Sequence, residues 1–103
     1  MKAIRVEKTG GPDVLRYADA PEPTPGPGEL LIDVEAIGVN FIEIYRREGL
    51  YAMQLPYTPG EEAAGVVRQI GSGVTDFAVG NRVVSQSVKG AYAERAVVAA
   101  ERS

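Results

Sequence analysis

Leu30, Ile32, Val34 and Ala36 fall on alternate positions of ELLIDVEAIGVN, with Asp33 and Glu35 between them. A period of two predicts a strand with that apolar set on one face and the acids on the other. KAIRVEK gives a weaker version: Ile4 and Val6 share one side, Arg5 and Glu7 the other. VLRYAD is placed to fold back on it, because the turn residues TGGPD lie between. At FIEIYRREG the period changes. Phe41 and Tyr45 are four apart, as are Glu43 and Arg47, and Gly49 follows, so a short helix is predicted with a Glu43–Arg47 ion pair along it. EAAGVVRQIG, GNRVVSQSV and AYAERAVVA each read as a further strand. Six or so short strands with one or two short helices, separated mostly by glycine-bearing turns, predict a mainly β fold: a small, partly open β-barrel.

Composition narrows the chemistry. The 103 residues, 45% apolar and 24% charged, suit one globular domain. The net charge of −3 and the lack of a dense basic patch beyond Arg46-Arg47 argue against nucleic acid as a partner. With no Cys and no His, the chain lacks a thiolate, an imidazole base and the usual zinc ligands, so no metal site is expected. The start MKAIRVEKTG is not a signal peptide, and no apolar run reaches the ~20 residues that span a bilayer. A cytoplasmic location is the expectation. Ala20–Glu29 holds four of the seven prolines, which predicts a stiff, extended connection.

Two motifs test for a site. Gly71-Ser72-Gly73 follows a strand, but the third glycine of a dinucleotide fingerprint would fall at position 76, which is Asp76. GSGVTDFAVGN is therefore read as a strand connection, and no phosphate-cradling loop is expected. In TPGEEAAG, Glu61 and Glu62 stand side by side after a Pro-Gly turn. Adjacent acids next to small apolar residues need water or partners. Glu61 reads most simply as facing water, and Glu62 as pairing with a cation or backbone donors.

The ordered set GGPDVL, PGPGELLIDVEAIGVNFIEIYRREGLY, PGEEAAGVV, GSGVTDFAVGNRV and GAYAERAVV resembles the N-terminal domain of the medium-chain dehydrogenase/reductase superfamily. Within it the match is to the zinc-independent quinone oxidoreductase branch. The resemblance implies a GroES-like catalytic domain over residues 1–103, with a Rossmann domain for NADPH lying outside this chain. It implies a fragment that is inactive alone, and a homodimer as one assembly of the full-length protein. Zinc-dependent relatives carry a Cys and a His where this chain has Asn40 and Glu61. Losing that electrophile favours quinones or conjugated carbonyls, which spread the delivered charge.

The resemblance places Asn40, Tyr45 and Tyr51 in the cleft. Asn40 is expected to hold the nicotinamide or its ribose, or else only to cap the helix. Tyr45 and Tyr51 are expected to donate to the acceptor oxygen, or else to pack at a surface. A non-catalytic GroES-like or co-chaperonin-type module is the alternative reading, and RNA binding, seen in some quinone-reductase relatives, is the weakest.

Overall fold

The computed structural model describes residues 1–50 and 54–103. Among the described residues seven strands, all paired antiparallel, form two open sheets. β1 (Lys2–Arg5) and β2 (Arg16–Asp19) make a hairpin-like pair. β3 (Glu29–Gly38), β4 (Glu62–Ile70), β5 (Arg82–Ser85), β6 (Val88–Lys89) and β7 (Arg95–Ala99) form the larger sheet in the order β5-β4-β3-β7-β6. One α-helix among the described residues, α1 (Phe41–Glu48), connects β3 to the segment before β4. The fold is the partly open, mainly β barrel that the pattern predicts. Among the described residues no helix is long and apolar enough to cross a membrane.

The sheets meet at one seam. Ile4 N–H donates to the Tyr92 carbonyl at 2.8 Å, and Glu94 N–H to the Lys2 carbonyl at 3.0 Å. Residues 57–61 fill the neighbouring gap. Val6 exchanges both backbone bonds with Tyr57 at 2.9 and 3.0 Å, while Tyr92 N–H reaches the Pro59 carbonyl at 2.9 Å and Val88 N–H the Glu61 carbonyl at 2.8 Å. Glu61, the first acid after the Pro-Gly turn, is thereby tied by its own carbonyl to the start of β6.

The main core lies on one face of the larger sheet: Leu30, Ile32, Val67 and Val98, all essentially without solvent contact, with Ala63, Val88, Ala91 and Ala96 around them. Three expectations change here. β3 keeps its simple alternation only in its first half, because register shifts occur between Leu31 and Ile32 and between Val34 and Ala36. The second shift leaves Glu35 unpaired with β4 and turns Ala36 out to solvent instead of into the core. Leu31 and its partner Val97 are buried too, so this strand pair is covered on both faces. Along KAIRVEK the buried pair is Ala3 of β1 and Val6 just beyond it, not Ile4 and Val6, since the ladder ends at Arg5 and Val6 pairs with Tyr57 instead. Finally, GNRVVSQSV is two strands. Ser85 Oγ accepts the Ser87 N–H at 3.0 Å and donates to the Arg102 carbonyl at 2.8 Å, which breaks the run at Gln86.

Candidate active site

β3 ends at Gly38, and two residues later the chain enters α1. Asn40 has extended backbone (φ −124°, ψ 152°) and occupies the N-cap position. Its carbonyl accepts the Glu43 N–H at 3.1 Å, and the Glu43 carboxylate accepts the Asn40 N–H in return. The spacing Asn-x-x-Glu is a helix-start signature that satisfies otherwise orphaned backbone donors. At the other end Gly49, with φ 91°, closes the helix.

Glu43 is buried, unusually for an acid, and its carboxylate has three donors. One oxygen accepts from Asn40 N–H and from the Tyr92 hydroxyl at 3.3 Å; the other accepts the Glu61 N–H at 3.2 Å. The expected Glu43–Arg47 ion pair does not form. Glu43 turns inward to these donors, and Arg47 Nε instead donates to the Gly10 carbonyl at 3.2 Å, while Gly10 N–H bonds the Arg47 carbonyl at 2.8 Å. Buried donors outweigh an exposed ion pair worth only tenths of a kcal/mol.

The acids of PGEEAAG are also partnered. Glu61 does not simply face water: its carboxylate forms an ion pair with Arg46 of α1, both side chains being about one-third exposed. Glu62, first residue of β4 and paired with Gly38, meets carboxamides rather than a cation. It accepts long hydrogen bonds from Asn40 Nδ2 at 3.4 Å and Gln86 Nε2 at 3.5 Å. Gly38 leaves the space for it, since a Cβ there would overlap the Glu62 carboxylate and lie 3.0 Å from its Cγ.

Asn40, Ile42, Glu61, Glu62 and Gln86 line one open cleft of about 350 Å³. The structure thus gathers Asn40 with Glu61 and Glu62, which sequence reasoning singled out, from two chain segments. Tyr45 lies on α1, 40% exposed, and is not among the residues lining this cleft. Tyr51 lies outside the described residues. Sequence reasoning missed Ile42, Gln86, Tyr92 and the inward role of Glu43; only Glu43 had a local signal, the helix-start spacing. Among the described residues no three acidic side chains gather as a metal site. The donors facing Glu62 are the carboxamide N–H groups of Asn40 and Gln86, and its carboxylate takes up both.

Burial, then the neighbouring charge of Glu43 and the hydrogen bond to it, push the Tyr92 hydroxyl up from 10.0 to about 12. Because the folded state then holds the proton more tightly than the unfolded chain, the stabilisation is complete below pH ~10 and is lost as pH rises toward about 12. Urea midpoints are expected to fall between pH 9 and about 11.5, and to fall less in Tyr92→Phe. An identical pH dependence in the variant would show that Tyr92 is not so placed.

The family described as alcohol dehydrogenase GroES-like domain matches residues 26–102. Over 103 residues the chain is 47% identical to quinone oxidoreductase of Rattus norvegicus, covering 96% of this chain and 31% of that protein. It is equally 47% identical to quinone oxidoreductase of Pseudomonas aeruginosa, covering 98% of this chain and 32% of that protein. Among solved structures, Escherichia coli quinone oxidoreductase complexed with NADPH superposes with a TM-score of 0.94 at 38% identity, over 99% of this chain and 32% of that one. A mycobacterial protein complexed with NADPH gives 0.95 at 53% identity, over 99% of this chain and 32% of that one. The chain spans about a third of the length of these relatives.

Proposed function

The chain belongs to the alcohol dehydrogenase GroES-like domain family, and from that premise we propose that it is the catalytic-domain part of an NADPH-dependent oxidoreductase acting, without zinc, on a quinone or conjugated enone. The observation that carries this reading is the cleft itself. Asn40 and Glu61 line it, the two residues that the resemblance aligns with the Cys and His of zinc-dependent relatives, with Glu61 engaged by Arg46 and Asn40 by Glu62. The names of the relatives support a reductase over a co-chaperonin-type module.

An open cleft with an aliphatic residue, Ile42, and two carboxamides suits a flat ring that itself bears a carboxamide. NADPH, when bound, supplies the hydride. Asn40 is the residue that would hold its nicotinamide or ribose. Glu62 accepts from Asn40 Nδ2 at 3.4 Å and so favours one orientation of that side chain before any ligand arrives. Tyr45 and Tyr51 are the proposed donors to the acceptor oxygen, each through its phenolic O–H. A conjugated acceptor spreads the incoming charge, so one such donor suffices where an isolated ketone needs a stronger electrophile. In the same reading the cofactor's phosphates are held by a Rossmann domain outside residues 1–103. The full-length protein is cytoplasmic and a homodimer, with neither nucleic acid nor membrane among its partners.

The test is steady-state kinetics with a simple quinone in a full-length protein carrying this domain. Tyr51→Phe, or Tyr45→Phe if that is the donor, is expected to lower turnover about tenfold, equivalent to ~1.4 kcal/mol, with little change in KM for NADPH. Asn40→Ala is expected to raise KM for NADPH first. The isolated chain, titrated with NADPH in a calorimeter, is expected to give no saturable heat in the low micromolar range. Folded variants that all match the parent in both parameters would overturn the residue assignments, and a parent without NADPH-dependent quinone reduction would overturn the function.

A further inference from the structure

We propose that Glu43 is a positioning residue whose one buried carboxylate sets where Asn40 and Glu61, two walls of the cleft, stand relative to each other. A helix cap needs only the bond to Asn40 N–H. Here the second oxygen reaches the Glu61 N–H, 18 residues away, and the Tyr92 hydroxyl, 49 residues away, joins the first. Three chain segments therefore converge on a single side chain: the start of α1, the turn before β4 and the connection from β6 to β7.

The requirement for an acid follows from counting donors. Two backbone N–H groups address opposite oxygens of the same carboxylate. A glutamine offers one oxygen and one NH₂. Whichever way the amide turns, its NH₂ faces a backbone N–H, donor against donor. If it faces Glu61, the turn is released; if it faces Asn40, the helix start is released. The Tyr92 hydroxyl is indifferent, because it can rotate and accept. So Glu43→Gln, nearly the same shape, is expected to uncouple the two walls, whereas Tyr92→Phe removes one donor and leaves both backbone bonds.

The first arm of the test is amide hydrogen exchange on the 103-residue chain. In the parent, the Asn40 and Glu61 amides are expected to be protected, although Asn40 is an exposed residue. In Glu43→Gln, one or both are expected to exchange about ten- to a hundredfold faster. The Val67 amide, bonded to the Asn81 carbonyl at 2.9 Å, should stay as it was. Tyr92→Phe should leave Asn40 and Glu61 protected. Unprotected Asn40 or Glu61 in the parent, or unchanged exchange in Glu43→Gln, would overturn the proposal. Should Glu43→Gln melt too low to study, Glu43→Asp keeps the charge but shortens the reach, and the same amides are expected to open.

The second arm rests on the proposed reductase function and uses a full-length protein. Glu43→Gln is expected to raise KM for NADPH as Asn40→Ala does, with kcat within about twofold of the parent. A lower melting temperature with both parameters unchanged would make Glu43 structural only and overturn the positioning role. If the parent itself reduces no quinone with NADPH, the functional reading fails, and the exchange arm alone decides the role of Glu43.

Discussion

Gly65→Ala is expected to leave little or no folded protein. Gly65 lies inside β4, opposite Val34 of β3. A methyl group built there would overlap the Asp33 carbonyl oxygen, sit 3.0 Å from the Asp33 carbonyl carbon and 3.3 Å from the Val34 Cα. All three are backbone atoms of the neighbouring strand, so no side chain can swing aside. The β3–β4 ladder would have to part at the centre of the larger sheet, two positions along from the buried Ile32–Val67 pair. Overpacking in a well-filled interior costs about 1–3 kcal/mol when side chains can adjust, and more when they cannot. A domain of this size has about 5–15 kcal/mol in total. Loss of dispersion in an amide correlation spectrum would be the sign. A well-dispersed spectrum and an unchanged thermal midpoint would mean that the strands are not this close.

Gly60→Ala is expected to be nearly as damaging and to fall on the cleft. Gly60 has φ +108°, a conformation that residues with a Cβ rarely adopt. The added methyl would also sit 2.7 Å from Tyr92 Cδ1, 2.8 Å from the Ala91 Cβ and 2.9 Å from the Ala91 nitrogen. Backbone strain of about 1–3 kcal/mol and overpacking of about 1–3 kcal/mol act together. At roughly 4–8 °C per kcal/mol for a domain this small, the thermal midpoint should drop by at least about 10 °C. The displaced turn carries Glu61, so protection of the Glu61 amide should be lost even at temperatures where the rest of the sheet survives. A drop of only a degree or two would show that the turn can relax.

These two glycines show where sequence reading succeeds and stops. PGEEAAG is recognisable as a turn leading into a strand, but the reason Gly65 has no side chain is the backbone of a strand some thirty residues earlier. The first half of β3 was legible because alternation is local. Its second half was not, since the unpaired Glu35 depends on how residues are counted off against β4. The misread ion pair at Glu43 has the same origin. Spacing along a helix is visible in the sequence, whereas donors arriving from Glu61 and Tyr92 are not. Glu61 likewise finds Arg46 only after the chain has turned back. The cap position of Asn40 was legible, because the helix-start spacing lies in a continuous stretch. Gln86 was not: nothing in VVSQSV marks one polar residue over its neighbours, and only the break made by Ser85 brings it to the cleft.

Gly38 and Glu62 share one volume, and this ties their histories together. A side chain at position 38 would not clash with backbone; it would evict the Glu62 carboxylate, which is on a flexible stem and can leave. A lineage can therefore accept Gly38→Ala with little harm to folding, yet the substitution strips Asn40 and Gln86 of the acceptor they share. Selection for solubility or stability alone would let position 38 drift. Selection on the cleft would hold the pair fixed, or change both members at once.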